Sequence, residues 1–404
     1  MSIKKVVVTY DFSNETYREF MKKPDNTGLG LVHCGNIDAN HYDQMLFSQL
    51  EENGVQVVSI PYDSRETLDT KLAEVTAELE SADLIFHESP RVAYNVEENS
   101  TREGLQRAVE ELIQLKFLGK SSFLKRESNA ASKEEAKAII EAAGIPKPQS
   151  WTVDEYLASE RSLPVILKAN WSSCGQGIFY FDRSEQMDIF WDMDRYQNIG
   201  PWSLPKPKKE DYDVQEFIET PSNHFTHYRI FTTGDGNIVG AVMSVSGNRK
   251  DQMKIDSRPG PFLGGNIYNC EDIPTYLGCK KVISNHAQGG SQIAFDANGN
   301  SKPLTDNDRE VLVAHGYDPS NVTLNHKLTD LASGVAKLFS QHGILYAGQD
   351  WMQDPQGNFY LIELNAGPGM EIFNTLHNQG QGDEKTAMEI GTRKIAEALA
   401  NYQK

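Results

Sequence analysis

Cysteine is scarce in this sequence, with only four residues among 404. They form no Cys-x-x-Cys pair, and the first residues lack the pattern of a signal peptide. The default expectation is therefore a reduced, cytoplasmic protein. The four residues are Cys34, Cys174, Cys270 and Cys279.

Basic residues are also few, since 39 lysines and arginines stand against 57 acidic residues and leave a net charge of −18. Bulk electrostatics of this sign disfavour binding to nucleic acid or to an anionic membrane surface. No apolar run approaches the roughly 20 residues that a membrane helix needs. We therefore expect neither nucleic acid nor membrane as a partner, whereas local basic pockets for small anions stay compatible with the composition.

Strand and helix signals alternate in the first 120 residues, which predicts a parallel α/β lobe. Its strands are expected at 4–9, 55–62 and 82–89, and its helices at 41–53, 65–80 and 101–115. A helix with Ser132 as N-cap follows at 132–143. Further strands are predicted at 162–170, 213–218, 227–233 and 238–245, and further helices at 305–315, 320–342 and 383–402. A polar and aromatic insertion lies at 183–212.

A hairpin is predicted near the C-terminus, where alternating apolar runs at 344–353 and 359–364 flank the turn residues 355–358. If the turn sets the pairing, Asp350 lies directly opposite Glu363. Asn365, two residues further on, then lies on the same face.

Two carboxylates that face each other are destabilising unless a cation lies between them. With Asn365 they offer three hard oxygen donors, which suit Mg²⁺ or Mn²⁺. Two alternatives stay open at this point: a solvated acidic rim, or a register shift of one residue that puts the two acids on opposite faces.

Candidate anion-binding residues occur in several other segments. Lys168 ends a strand before the small-residue loop 171–177, an arrangement that can meet phosphate oxygens, although a solvated lysine is the ordinary interpretation. The loop lacks the Walker pattern. Lys133 lies in the first turn of a helix, where a cation is mildly unfavourable. Arg229 alternates with apolar neighbours along its strand. If its side chain points inward, it needs an anionic partner.

Two more segments carry polar groups at backbone irregularities. The strand exit 215–219 can present backbone groups to an adenine edge and Glu219 to a ribose, although an ordinary strand end is the simpler interpretation. Asn285 precedes Gly289 and Gly290, where the backbone can approach a ligand closely. His286 is a candidate base, and Cys174 has no partner nearby that would activate it as a nucleophile.

In their order these segments resemble the ATP-grasp carboxylate–amine ligases, over residues 120–375. The resemblance is carried by Lys133 eleven residues before Gly144-Ile145-Pro146, by PVILK with its loop, and by the segments VQEFIE, HYRIF, SNHAQGGS and GQD…LIELNAGPG. It is nearest to the RimK-type and glutathione-synthetase-like branch, which is also L-amino acid ligase-like, and more distant from D-alanine–D-alanine ligases.

The resemblance implies an ATP-grasp fold of class α/β, with a Rossmann-like lobe at 1–120, a central α+β lid lobe at 121–225 and a C-terminal α+β lobe at 226–404. It also implies a role for each matched residue. Arg229, Lys168 and Asn285 would be catalytic, and Asp350, Glu363 and Asn365 would hold Mg²⁺ or Mn²⁺. ATP would be held by Lys133, Lys168, Ser172, Ser173, Gly175, Gly177, Glu216, Phe217, Ile218 and Glu219.

The activity implied is ATP-dependent joining of a carboxylate to an amine through an acylphosphate, with ADP and phosphate released. Small, amino-acid-like substrates and a homodimer are the expected partners. A kinase on the same fold, a ligase that modifies a peptide or protein terminus, and a non-catalytic nucleotide-binding protein are the alternatives.

The sequence departs from the RimK-type pattern at Ser244, where a second arginine is common, and in the length of the 183–212 insertion. Both departures leave the acceptor substrate open. The basic stretch 246–266, with Arg249, Lys250 and Arg258, is a candidate substrate loop, and a solvated charged loop is the alternative.

Overall fold

The computed structural model describes most of the chain, and every structural statement below concerns this described part. It comprises residues 3–11, 40–62, 68–88, 133–159, 163–169, 178–184, 208–221, 224–249, 291–301, 303–314, 318–320, 322–342, 344–365 and 384–402, with the single positions 109, 112, 116, 187 and 191.

The first sheet is parallel and has the order β2-β1-β3. Its elements are β1 (Lys5–Asp11), α1 (Asn40–Glu52), β2 (Gln56–Tyr62), α2 (Leu68–Ser81) and β3 (Leu84–Glu88). The central strand is buried on both faces, because Val6 and Val8 pack with α1 while Val7 packs with α2. A strand covered on both faces needs the continuous apolar run seen here, and this confirms the α/β class.

The second sheet is antiparallel, with the order β4-β7-β5-β6. Helix α3 (Lys133–Ala142) precedes β4 (Ser150–Thr152), α4 (Val153–Ala158), β5 (Val165–Ala169), β6 (Ile178–Phe181) and β7 (Tyr212–Glu216). Alternation along β5 buries Val165 and Leu167 completely. Lys168, between Leu167 and the end of the strand, therefore lies on the other face.

The third sheet contains the predicted hairpin and has the order β10-β9-β8-β11-β12, with antiparallel neighbours. Its strands are β8 (His224–Thr233), β9 (Ile238–Arg249), β10 (Ser291–Phe295), β11 (Tyr346–Gln353) and β12 (Phe359–Asn365). Three further helices lie in the described ranges: α5 (Asp306–Ala314), α6 (His326–Ser340) and α7 (Glu384–Asn401). The helix expected over 320–342 begins only at His326, because the side chain of Asn325 caps it by accepting a hydrogen bond from the Lys327 amide.

The two faces of the third sheet have different neighbours. One face packs against α6 in a core that includes Ile230, Met243 and Trp351. On the other face, Phe231, Val242 and Tyr346 pack against β1, α1 and α7. We call this second face the site face, because it carries the polar row described below. The lobe boundaries at residues 120 and 225 stay predictions.

Candidate functional site

The hairpin places Asp350 opposite Glu363 and Gly348 opposite Asn365, as the sequence predicted. Asp350, Glu363 and Asn365 consequently share the site face. The turn is one residue longer than expected, since Gln353 and not Asp354 pairs with Phe359. The pairing near the turn is therefore shifted by one residue, and a β-bulge corrects it further along.

The bulge lies between the pairs Trp351–Leu361 and Asp350–Glu363, so that Ile362 is the extra residue. Without it, Asp350 would lie opposite Ile362, and Glu363 would point to the core face. The sequence carries a signal of this bulge. Phe359 and Leu361 are buried on the core face, but the next buried residue is Leu364, three positions and not two further on.

Arg229 extends the polar row across the sheet, because β8 pairs with β11 and places Arg229 opposite Asp350. Its guanidinium makes a forked ion pair, in which Nε donates to Oδ1 at 2.7 Å and Nη2 donates to Oδ2 at 2.9 Å. The Asp350 side chain is only 11% exposed. A carboxylate that is almost buried needs such a partner, and the fork is the strongest geometry that an arginine offers.

Lys168 reaches the same row from the second sheet. Its Nζ lies 3.6 Å from Oε2 of Glu363, and the two side chains are 13% and 27% exposed. This ion pair spans the cleft between the second and third sheets. The ordinary interpretation of Lys168 from the sequence was a solvated lysine. In the structure its side chain is instead directed at a carboxylate of the candidate metal site.

The end of β7 lies beside the hairpin as well. Phe217 packs edge-on against Tyr180 at 5.0 Å and against Phe225 at 5.6 Å. Burial raises the pKa of Tyr180, and the charges of Asp182 and Glu219 add to the rise. Burial and the hydrogen bond to Asp354 likewise raise the pKa of Tyr360, with a further contribution from Glu216. The charge of Glu216, at the end of β7, therefore acts on the hydroxyl of Tyr360 on β12.

A short segment is hydrogen-bonded to both sheets. The Leu361 amide donates to the Pro146 carbonyl at 2.8 Å, and the Glu216 amide donates to the Gln149 carbonyl at 2.8 Å. The Gln149 amide in turn donates to the Glu216 carboxylate at 3.2 Å. Residues 146–149 therefore hold the hairpin and the end of β7 beside each other.

The donor set fits a hard divalent cation. Asp350, Glu363 and Asn365 supply carboxylate and amide oxygens, which Mg²⁺ and Mn²⁺ prefer, and their register gathers them on one face. No cluster of three His, Cys, Asp or Glu suited to a metal occurs among the described residues. Metal sites rich in nitrogen or sulfur ligands are therefore not seen among the described residues. A metal held by Asp350 and Glu363 would complete its coordination with the Asn365 amide oxygen and with oxygens of a bound ligand.

Five predicted site residues lie outside the described ranges: Ser172, Ser173, Gly175, Gly177 and Asn285. Of the candidate substrate loop 246–266, residues 246–249 are not loop but the end of β9, and residues 250–266 lie outside the described ranges. Lys133 begins α3, and its side chain is also outside the description. The structure brings the others together on facing elements: Lys168 on β5, residues 216–219 at the end of β7, Arg229 on β8, and the three oxygen donors on the hairpin.

None of the described helices is both long enough and apolar enough to cross a membrane. In comparisons with known proteins, no family model matches the sequence, and no curated protein matches it either.

Among solved structures, the ATP-grasp ligase PsnB with its minimal precursor aligns with a TM-score of 0.46 at 14% identity, over 98% of each chain. D-cycloserine synthetase DcsG aligns with a TM-score of 0.46 at 11% identity, over 98% of this chain and 99% of that one. D-alanine–D-alanine ligase from Bacillus anthracis, with ATP, gives 0.41 at 12% identity, over 98% of this chain and 99% of that one. Because these scores are below 0.5, the chemistry proposed for the site rests on the residues of this chain.

Proposed function

We propose that the protein is an ATP- and Mg²⁺-dependent carboxylate–amine ligase that forms an amide bond between small, amino-acid-like substrates. The observation that carries the proposal is the row Arg229–Asp350–Glu363 with Lys168 across the cleft. It combines two carboxylates with two cations at the meeting point of two sheets. Such a set suits a metal-bound polyphosphate, since it offers ligands for the metal and partners for the phosphates.

Asp350, Glu363 and Asn365 would hold the metal, which when bound neutralises charge on the phosphates. Lys168 gives a point charge on a strand end and would bind phosphate oxygens. Lys133 and the loop residues Ser172, Ser173, Gly175 and Gly177 are proposed to share that task. Arg229 presents a planar fork and would bind the transferred phosphoryl group.

The base of the nucleotide is proposed to lie at residues 216–219. Phe217 and Ile218 directly follow the end of β7, at the exit of this strand from the second sheet. Backbone groups at such an exit can pair with the edge of a purine. Phe217 packs in an aromatic cluster with Tyr180 and Phe225. Glu219 is exposed and would reach a ribose hydroxyl.

In the proposed reaction a substrate carboxylate attacks the γ-phosphorus, and the bond between that phosphorus and ADP breaks. The amine nitrogen then attacks the carbonyl carbon, and phosphate leaves. The demand on the protein is positioning and charge neutralisation, which the site's cations provide without a side-chain nucleophile. Asn285 is proposed to orient the acylphosphate. The cytoplasmic setting and the homodimer stay predictions.

The test is release of ADP and inorganic phosphate from Mg-ATP, with the proteinogenic amino acids supplied singly and in pairs. Equal release of both products with particular pairs supports the proposal and names the substrates. ADP without phosphate contradicts it in favour of a kinase. If only peptide acceptors elicit both products, the ligase chemistry stands and the small-substrate part is wrong.

The matched pair of variants is Asp350→Asn and Asp354→Asn, two substitutions of the same kind four residues apart. Asp350 lies in the site row, whereas Asp354 makes its contacts within the hairpin turn. We expect Asp350→Asn to lower kcat by at least about 100-fold and Asp354→Asn to leave it unchanged, since loss of metal-site charge costs several kcal/mol in the transition state. Equal activity of the two variants would contradict the metal assignment.

A further inference from the structure

A fully buried amide lies directly beneath the candidate metal site. Gln349 precedes Asp350 on β11, and its side chain points to the core face while Asp350 points to the site face. Its exposure is 0%, and its neighbours in that core are otherwise mainly apolar. A buried primary amide is costly unless its hydrogen-bonding groups are satisfied, so its partners indicate what it holds in place.

Three hydrogen bonds satisfy this amide. Nε2 donates to the Thr232 hydroxyl at 2.9 Å and to the backbone carbonyl of Ala332 at 2.8 Å. Oε1 accepts from the Trp351 indole at 3.2 Å. Gln349 thus connects β11 to the neighbouring strand β8 and to helix α6. Through Trp351 it also connects the residue before Asp350 to the residue after it.

The position of this last link is informative, because it spans the step at which the β-bulge interrupts the pairing with β12. Bulges increase the local twist and disrupt the ladder on the side where they occur. Here the extra residue lies on β12, so β11 keeps its regular pairing with β8 on one side of Asp350, whereas its pairing with β12 is interrupted on the side of Glu363. At that step the Gln349–Trp351 hydrogen bond ties the backbone before and after Asp350 through the core. The direction of the Asp350 carboxylate, between Arg229 and Glu363, depends on this backbone.

We propose that Gln349 is a positioning residue, which fixes the orientation of Asp350 toward the metal across the bulge. The proposal rests on the proposed function, in which Asp350 is a metal ligand. It assigns a site role to a residue that touches neither metal nor substrate. Replacement of residues that hydrogen-bond a metal ligand directly costs about 10- to 100-fold in metal affinity, and Gln349 acts on Asp350 through the backbone, so the lower end of this range is expected.

The test is Mn²⁺ binding by the nucleotide-free protein, followed by the EPR signal of free Mn²⁺ and paired with thermal unfolding in EDTA. Gln349→Leu keeps the volume approximately but leaves the Trp351 indole without its acceptor, so we expect a lower Tm and about 10-fold weaker Mn²⁺ binding. The double variant Gln349→Leu/Trp351→Phe removes that orphaned donor but leaves a cavity where the fully buried indole packed. We expect the Tm to fall further while Mn²⁺ binding stays as weak as in Gln349→Leu.

The control is Phe339→Leu, which loosens the packing of α6 in the same core and makes no contact with the site row. We expect it to lower the Tm and leave Mn²⁺ affinity as in the wild type. If Mn²⁺ affinity follows the Tm through all the variants, Gln349 is only structural and the proposal is wrong. If the wild type itself binds no Mn²⁺, the metal site of the proposed function fails first, and the two failures are thereby separated.

Discussion

The guanidinium of Arg229 covers both carboxylate oxygens of Asp350, at 2.7 Å and 2.9 Å. Asp350 is the carboxylate expected to bind the metal, and Arg229 is the cation expected to bind the phosphoryl group. In the structure they are partners of each other. Lys168 and Glu363 repeat this relationship across the cleft, at 3.6 Å. Binding of metal and nucleotide would therefore exchange protein–protein ion pairs for protein–ligand ones.

This exchange predicts opposite effects of Arg229→Ala on metal binding and on turnover. The variant removes the cation that competes with the metal for Asp350, so nucleotide-free Mn²⁺ affinity should rise by at least about 3-fold, since a like charge a few ångströms away disfavours a cation. It should also lower kcat by at least about 100-fold through the lost phosphoryl contact.

The stability of Arg229→Ala should depend on metal as well. In EDTA we expect a loss of about 2 kcal/mol in the free energy of unfolding, because the almost buried Asp350 carboxylate loses its partner. Saturating Mn²⁺ should restore part of that loss by mass action. Unchanged Mn²⁺ affinity in this variant would contradict the competition between Arg229 and the metal.

Lys168 is predicted to act on nucleotide affinity. Lys168→Met should raise the dissociation constant for ATP by about 10- to 100-fold, because a charged hydrogen bond to phosphate is lost. The control is Lys209→Met, whose lysine forms an exposed ion pair with Asp154 at 2.9 Å. Isothermal titration of ATP into both variants checks the prediction, and similar affinities for the two would remove Lys168 from the nucleotide site.

Glu363→Gln should separate function from stability. The ion pair with Lys168 is long and Glu363 is partly exposed, so we expect the free energy of unfolding to change by less than about 1 kcal/mol. Loss of a metal carboxylate should nevertheless lower kcat by about 100-fold. Urea unfolding and ADP release on the same preparation measure both, and a large fall in stability with kcat retained would reverse the interpretation.

The hairpin turn gives a prediction for pH. Burial acts to raise the pKa of Asp354, but hydrogen bonds from Asn358, Tyr360 and the Gln356 amide outweigh it and lower the pKa below its ordinary value. A carboxyl with a lowered pKa stabilises the fold above its unfolded pKa, and that contribution is lost as the pH falls through the folded pKa. Asp354→Ala should therefore be less stable than the wild type by about 1 kcal/mol at pH 7. The difference in Tm should shrink steadily as acid protonates Asp354, and a difference that stays constant to low pH would contradict this account.

Much of the site could be predicted from local sequence. The hairpin and the pairing of Asp350 with Glu363 follow from turn residues and alternation, which act within about 20 residues. The bulge at Ile362 was missed, although the spacing of Leu361 and Leu364 indicates it. The longer turn shifts the pairing of the two strands by one residue, and the extra residue Ile362 shifts it back. The predicted pairing of Asp350 with Glu363 is therefore correct, but it depends on the bulge as well as on the turn.

The pairing of Arg229 with Asp350 could not be predicted in the same way. The two residues are 121 positions apart, and their contact depends on β8 being the neighbour of β11 in the sheet. Lys168 and Glu363 lie on different sheets, so their approach depends on how two sheets pack. The sequence analysis did not single out Gln349, because its role requires the position of α6.

Residues 146–149 make one backbone hydrogen bond to each sheet, at Leu361 and at Glu216, and Glu216 lies opposite Val165 at the start of β5. Two anchors this near in the chain leave little freedom for the sheets to separate at that end. Relative motion of the sheets would then be a rotation about this segment, with displacement growing toward the opposite end of β5. The distance between Lys168 and Glu363 would change with this rotation. A pair of spin labels or fluorophores placed across the opening would report that change when nucleotide enters.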